Sequence, residues 1–167
     1  MRLRAFLRHF FEEAGRVQHG DHGLAPVDTE VHLNHLLAGS GFRAFASGNV
    51  AHLYGSGNAD AVIATLNATG LFEQVTKKAA SAHRSSGDIV AYSKTNVLLS
   101  PSEDAPAIGK ASSAANHGAL NVHRELHTVL FAAGAGTPKG PLGEQSQTRI
   151  ARFVAQLLGI QPPSAAE

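Results

Sequence analysis

Between Gly55 and Val75 the sequence leaves the backbone little choice. Gly55-Ser56-Gly57-Asn58 is a turn that opens a helix, and Asn58 is a residue type whose side-chain oxygen takes a first-turn amide. Val62, Ile63 and Leu66 recur at helical spacing as one apolar stripe, and Gly70 supplies the stop. Leu71 and Phe72 follow as a hydrophobic plug, and Val75 starts an extended piece. A helix with a single apolar stripe must bury it against another element, and the flanking runs are β-prone. Residues 42–47 and 50–54 read as strands or a loose hairpin. Residues 89–92 and 97–99 read as one long strand or a tight hairpin around Ser93-Lys94-Thr95-Asn96. Ile150, Phe153, Val154, Leu157 and Leu158 form a last helical stripe, stopped by Gly159 with Pro162 and Pro163 beyond. This order predicts an α+β fold, a small mixed or antiparallel sheet packed by a central helix and a C-terminal helix.

The remaining segments extend that plan. Leu3, Phe6, Leu7, Phe10, Phe11, Ala14 and Val17 predict an N-terminal amphipathic helix ending near Gly15. Arg2, Arg4 and Arg8 stand at the positive end of its dipole and Glu12 and Glu13 at the negative end, so it needs packing to be stable. The Arg-rich start has the look of a transit peptide, but the two glutamates and the lack of Ser argue against one. From Asp28 or Thr29 as N-cap, a short helix is expected through Val31, His32, His35 and Leu36 to Gly39. Residues 100–118 turn to Pro, Ser, Ala, Gly and Asn without apolar period and are expected to form an extended arm or loop lying on neighbouring subunits. Residues 1–160 then make one domain and 161–167 a tail.

Composition narrows the partners. The chain has 167 residues and is 43% hydrophobic, yet aromatics are 6%, Trp is absent and Gly numbers 17. Such a core is thin for a monomer and suits a subunit that buries more surface against copies of itself in a ring or shell. Zero Cys removes disulfides and thiolate chemistry and fits a reducing compartment. A formal charge of +1 gives no footprint for specific nucleic-acid binding. No apolar run approaches the roughly 20 residues that cross a bilayer. The expected location is a particle or the cytoplasm during its assembly, neither secreted nor in a membrane.

Ten His are the compositional outlier. Residues 121–133 hold His123 and His127, which share a face four apart if the stretch is helical and are neighbours on one sheet face if it is extended. Thr128, Val129, Leu130 and Phe131 favour the strand. The zinc-protease helix is absent, because in His123-Arg124-Glu125-Leu126-His127 the Glu holds the third position instead of the second. No Gly-x-Ser-x-Gly elbow occurs. Gly55-Ser56-Gly57 fails as a dinucleotide loop, since Asp60 stands where the third glycine belongs. In Gly134-Ala135-Gly136-Thr137-Pro138-Lys139-Gly140 the Lys precedes the Gly and no hydroxyl follows it, so it is an exposed turn and not a phosphate loop. Lys77, Lys78, His83 and Arg84 read as a solvated basic cluster. His19 and His22 are loop histidines that need further ligands to make a site. The missing catalytic set leans against an enzyme.

Two resemblances follow from these residues. Leu66 to Val75, Ile89 to Leu99, Ser100 to Gly118, Val122 to Phe131 and Ile150 to Leu158 stand in the order seen in small head-tail connector and tail-completion (tail-terminator) proteins of long-tailed bacteriophages. The pattern covers about two-thirds of the chain, and Ala25-Pro26-Val27-Asp28-Thr29 also occurs in some virion morphogenesis proteins. This resemblance implies a non-enzymatic subunit of a homo-oligomeric ring with neighbouring virion proteins as partners and no cofactor. Alternatively, His123 and His127 with His35 or His32 resemble the three-histidine site of DinB-like four-helix metalloproteins. That resemblance implies Zn or another divalent transition metal on His123, His127 and His35, with hydrolase or transferase chemistry.

Overall fold

A computed structural model describes residues 16–80, 82–134 and 136–164. The predicted N-terminal helix lies outside these residues apart from Val17, which stands in a strand, and residues 165–167 of the expected tail also lie outside them. In chain order the elements are β1 (Arg16–His19), β2 (Ala25–Pro26), β3 (Thr29–His32), α1 (Leu33–Leu36), β4 (Phe42–Ser47), β5 (Val50–Gly55) and α2 (Ala59–Ala68). Then follow β6 (Phe72–Lys77), β7 (Ile89–Ser93), β8 (Val97–Ser100), β9 (Ile108–Lys110), β10 (Ala115–Asn116), β11 (Leu130–Ala133) and α3 (Ile150–Leu158). Short 3-10 turns occupy Arg124–Leu126 and Gln147–Arg149. The fold is α+β with mainly antiparallel sheets and a C-terminal helix. Contacts divide it into two compact units, His22–His127 and a second joining the described residues up to Asp21 to those from Thr128 onward.

The larger unit is built on the four-stranded antiparallel sheet β4-β5-β7-β6. The expected helix is α2, with Asn58 Oδ1 accepting from Ala61 N at 3.1 Å and Gly70 in the left-handed region at φ 69°. Its buried Val62 and Leu66 join Ala44, Ala51, Leu53, Phe72, Ile89 and Ala91 in the core. Leu53, Leu66 and Ile89 are fully buried, each contributing about 1.5–3 kcal/mol of apolar burial. The glycines before α2 serve packing: a Cβ on Gly57 would collide with the Ser40 carbonyl, and one on Gly55 with that of Gly41. Those close approaches explain a Gly-rich turn that lacks the dinucleotide-binding motif.

A second sheet runs β8-β3-β9, with β3 parallel to β8 (Thr29↔Val97 to His32↔Ser100) and antiparallel to β9. Two expectations fail here. Residues 29–32 form a strand and not the start of a helix, because both backbone edges find distant partners and Val31 is fully buried between them. Helix is confined to the single turn α1. Residues 89–99 are neither one strand nor a hairpin, because β7 pairs in the first sheet and β8 in the second. Residues 100–118 carry β9 and β10, which pair with β3 and β2 of the same unit.

Asn49 fastens the crossing between the sheets. It sits in the two-residue turn closed by the Ser47↔Val50 pair, is fully buried, and its Nδ2 donates to Val97 O at 2.7 Å and Lys94 O at 3.0 Å. Its backbone oxygen accepts from Ser93 N at 2.9 Å, and buried Ser93 Oγ donates to Val97 O at 2.7 Å. The Asn49 and Ser93 side chains thereby share the buried carbonyls of the tight β7–β8 connection with Val97 N, which donates to Lys94 O at 3.0 Å.

In the smaller unit β1 pairs antiparallel with β11, from Arg16↔Ala133 to His19↔Leu130. Only the end of 121–133 is therefore strand, and Arg124–Leu126 is a 3-10 turn that accepts Gly23 N on Leu126 O at 2.8 Å. Helix α3 ends at Gly159, φ 66°, as its stripe predicts. Among the described residues no helix is long and apolar enough to cross a membrane.

Two substitutions separate these holds in urea denaturation. Asn58→Ala removes one exposed cap and is expected to cost about 1 kcal/mol. Asn49→Ala removes the buried amide bonds to Lys94 O and Val97 O, leaving Val97 N and Ser93 Oγ as their remaining donors, and is expected to cost roughly 2–3 kcal/mol.

Candidate functional site

The shortest sheet creates the most unusual side-chain arrangement. β2 and β10 pair over only two positions, Ala25↔Asn116 and Pro26↔Ala115, extended by Val27 N donating to Ala114 O at 3.1 Å. Because the bridge is antiparallel, the chain before Ala25 and the chain after Asn116 leave it at the same end. His22 and His117 meet there, rings stacked with centroids 3.7 Å apart and planes 16° from parallel.

Glycines on both sides make that approach possible. Gly118 follows His117 with φ 107°, a conformation that side chains rarely adopt. Gly23 follows His22, and a Cβ there would strike the Glu125 carbonyl and lie 2.7 Å from that of His127. The His22 Nδ1–H donates to Gly23 O at 2.9 Å, which in the neutral ring makes Nε2 the lone-pair nitrogen. Two exposed imidazoles held face to face, one with its tautomer set by a backbone carbonyl, can present nitrogen donors to a cation or hydrogen bonds to an anionic ligand.

The histidines expected as ligands do other work. His35 lies in α1 and donates from Nδ1 to Glu103 O at 3.0 Å, while His32 Nδ1 donates to Asp104 O at 2.8 Å. Between them Asn34 Nδ2 reaches Pro101 O at 2.6 Å. These three side chains of one turn buckle residues 101–104 to the unit. His123 Nε2 pairs with Glu73 Oε2 at 2.8 Å, tying the 3-10 turn to β6, and His127 follows that turn with its amide on Arg124 O at 3.0 Å. His123, His127 and His35 are thus not assembled into a ligand set, and among the described residues no three His, Asp or Glu side chains gather to hold a metal ion. A short 3-10 turn cannot give the one-face spacing on which the four-helix resemblance rested. In the basic cluster, Lys77 pairs with Asp60 at 2.7 Å and Lys78 Nζ donates to Arg84 O at 2.9 Å.

No family model matches this chain, and no curated protein matches it. Its fold has counterparts among solved structures. Murine and human ectonucleotide pyrophosphatase/phosphodiesterase 5 superpose with TM-scores of 0.75 and 0.76 at 18% identity, over 96% of this chain and 45% of theirs. A third structure is an inactive variant of the murine protein in complex with AMP, TM-score 0.75. The chain spans less than half the length of these structures. The likeness is one of fold, and it corrects the virion reading. The segments that carried the phage pattern belong to an arrangement found in a pyrophosphatase/phosphodiesterase, and helix-strand order alone had not distinguished the two.

Sequence reasoning leaves both stacked residues out of its ligand sets, His22 as one of two loop histidines with His19 and His117 inside the expected arm. A signal was present: Asp21-His22-Gly23 and Asn116-His117-Gly118 repeat one phrase, a polar residue, His and Gly. Elsewhere in the unit, Asp28 anchors β3 to the β7–β8 connection. Thr29 Oγ1 donates to its carboxylate at 2.7 Å and Asn96 Nδ2 at 3.2 Å, and these bonds, the Thr29 hydroxyl first, hold its pKa below the ordinary 3.8. A lowered carboxylate pKa contributes stability above the ordinary range, and that contribution is lost as pH falls through the lowered value. An NMR titration of the Asp28 carboxyl should show a midpoint below 3.8 that moves up in Thr29→Val.

Proposed function

We propose that this chain contributes to a metal-assisted phosphodiester hydrolase acting on nucleotides, with His22 and His117 as nitrogen ligands of the metal. The observation that carries the reading is the stacked pair. Imidazoles are common ligands for divalent transition metals, and the Nδ1–H···O=C bond of His22 is the outer-shell contact that typically orients such a ligand. The fold supports the substrate class, because its counterparts are named pyrophosphatase/phosphodiesterases and one of them holds AMP. Two donors do not complete a coordination sphere. Phosphoryl oxygens of a bound nucleotide are the further donors such a site would take.

When bound, a divalent ion polarises a phosphoryl oxygen and lowers the pKa of a coordinated water. The chain's own residues do the positioning. The β2–β10 bridge brings the two imidazoles to one end and Gly23 and Gly118 let their backbones turn; the near-parallel rings must splay from the stack to aim both in-plane lone pairs at one ion.

Titration of the chain with Co²⁺ or Zn²⁺, followed by NMR of the histidine ring protons, tests this directly. His22 and His117 should respond together and before the other histidines. The response should weaken in acid, where protons compete for the same nitrogens. His22→Ala and His117→Ala should each lower metal affinity by more than about tenfold, and AMP should bind more tightly with metal than without. Metal binding that is absent, or that leaves these two rings unaffected, would overturn the reading.

A further inference from the structure

The turn that carries Asn49 also abuts the His117 segment. Gly48, the other residue of that turn, has φ 68° and lies so close to His117 that a Cβ would run into its carbonyl oxygen and stand 3.0 Å from the Asn116 amide. Asn116 Nδ2 in turn donates to Asn49 Oδ1 at 3.4 Å. Gly118 faces the same turn, its Cβ position 3.6 Å from Asn49 N and 3.8 Å from Ser47 O. Residues 116–118 are therefore held from two sides, by β2 through the two-position bridge and by the 47–49 turn.

The turn cannot drift independently. Leu99 N donates to Gly48 O at 2.9 Å and Ser93 N to Asn49 O at 2.9 Å, while the Asn49 amide is sunk in the β7–β8 connection. A two-position bridge alone is a weak hinge; a buried turn fixed to two sheets is a rigid stop. We infer that the Gly48–Asn49 turn is the positioning element of the histidine pair, setting the height and tilt at which His117 meets His22. Its consequence for metal affinity rests on the function proposed above; its consequence for the ring geometry does not.

Gly39 provides an internal control. It shares the left-handed backbone, φ 76°, but nothing lies within 4 Å of its Cβ position. Gly48→Ala and Gly39→Ala therefore carry similar backbone strain, and only the first also pushes on His117. In the metal-free chain, ring-proton NOEs between His22 and His117 are expected in the wild type and in Gly39→Ala, and should vanish in Gly48→Ala. Zn²⁺ affinity should fall roughly tenfold to a hundredfold in Gly48→Ala, the range for loss of an orienting partner, and stay unchanged in Gly39→Ala.

Asn116→Ala, which removes the contact to Asn49 without backbone strain, keeps the test decisive if Gly48→Ala does not fold, and should weaken the same NOEs. Retained NOEs in the folded Gly48→Ala protein, or in Asn116→Ala where the glycine variant does not fold, would overturn the inference. Lost NOEs in a chain whose wild type does not bind metal at these rings would leave the positioning role standing and remove the metal reading.

Discussion

The buried amide of Asn49 is the interaction on which the larger unit depends. The chain leaves one sheet at Ser93 and enters another at Val97, and such a short crossing exposes carbonyls that neither ladder can satisfy. A buried donor with two N–H groups answers the Lys94 and Val97 oxygens, and the surrounding core can close over the connection. A hydrophobic residue would fill the same space and leave both polar groups dependent on what remains.

The candidate site is a by-product of this same framework. Its residues come from the least regular stretches, a loop before β2 and a loop after β10, yet both are pressed against elements that cannot move far. Glycine is the common device: Gly23 admits the Glu125 and His127 carbonyls where a side chain would collide, and Gly118 takes a φ of 107° that side chains rarely adopt. Loops positioned by a rigid scaffold are where binding chemistry usually resides. The rest of a catalytic constellation would have to meet the pair at that exposed edge.

How much could be read from the chain follows from distance along it. The Asn58 cap, the Val62-Leu66 stripe, the Gly70 stop and the residue 42–55 hairpin are local signals, and all appear as expected. Thr29–His32 was misread as helix because its identity as a strand depends on residues 97–100 and 108–110, which no local period reveals. The interval between His123 and His127 is a ligand spacing only on a helix, and this stretch forms a 3-10 turn and then a strand, so the interval gives no shared face. The meeting of His22 and His117 leaves no periodic trace, because a bridge of two positions has no periodicity; only the repeated polar-His-Gly phrase marks both residues. The fold's likeness to a pyrophosphatase/phosphodiesterase was hidden behind an element order that other architectures can share.

The pairing of β3 has a consequence for how the chain acquires its structure. The β4–β5 hairpin, α2 and the β6–β7 pair are contiguous in sequence and can settle with contacts of short loop length. β3 precedes them all, but both its neighbours come after them, so its two edges stay open throughout synthesis until Val97 and then Ile108 have emerged. Glu30 in that strand, whose carboxylate finally accepts Ser112 N at 2.8 Å, places a carboxylate beside Val31 in the waiting segment. During that interval a charged edge is a poorer template for misplaced strands, so the residue that is costly to bury in the finished sheet also guards the unfinished one.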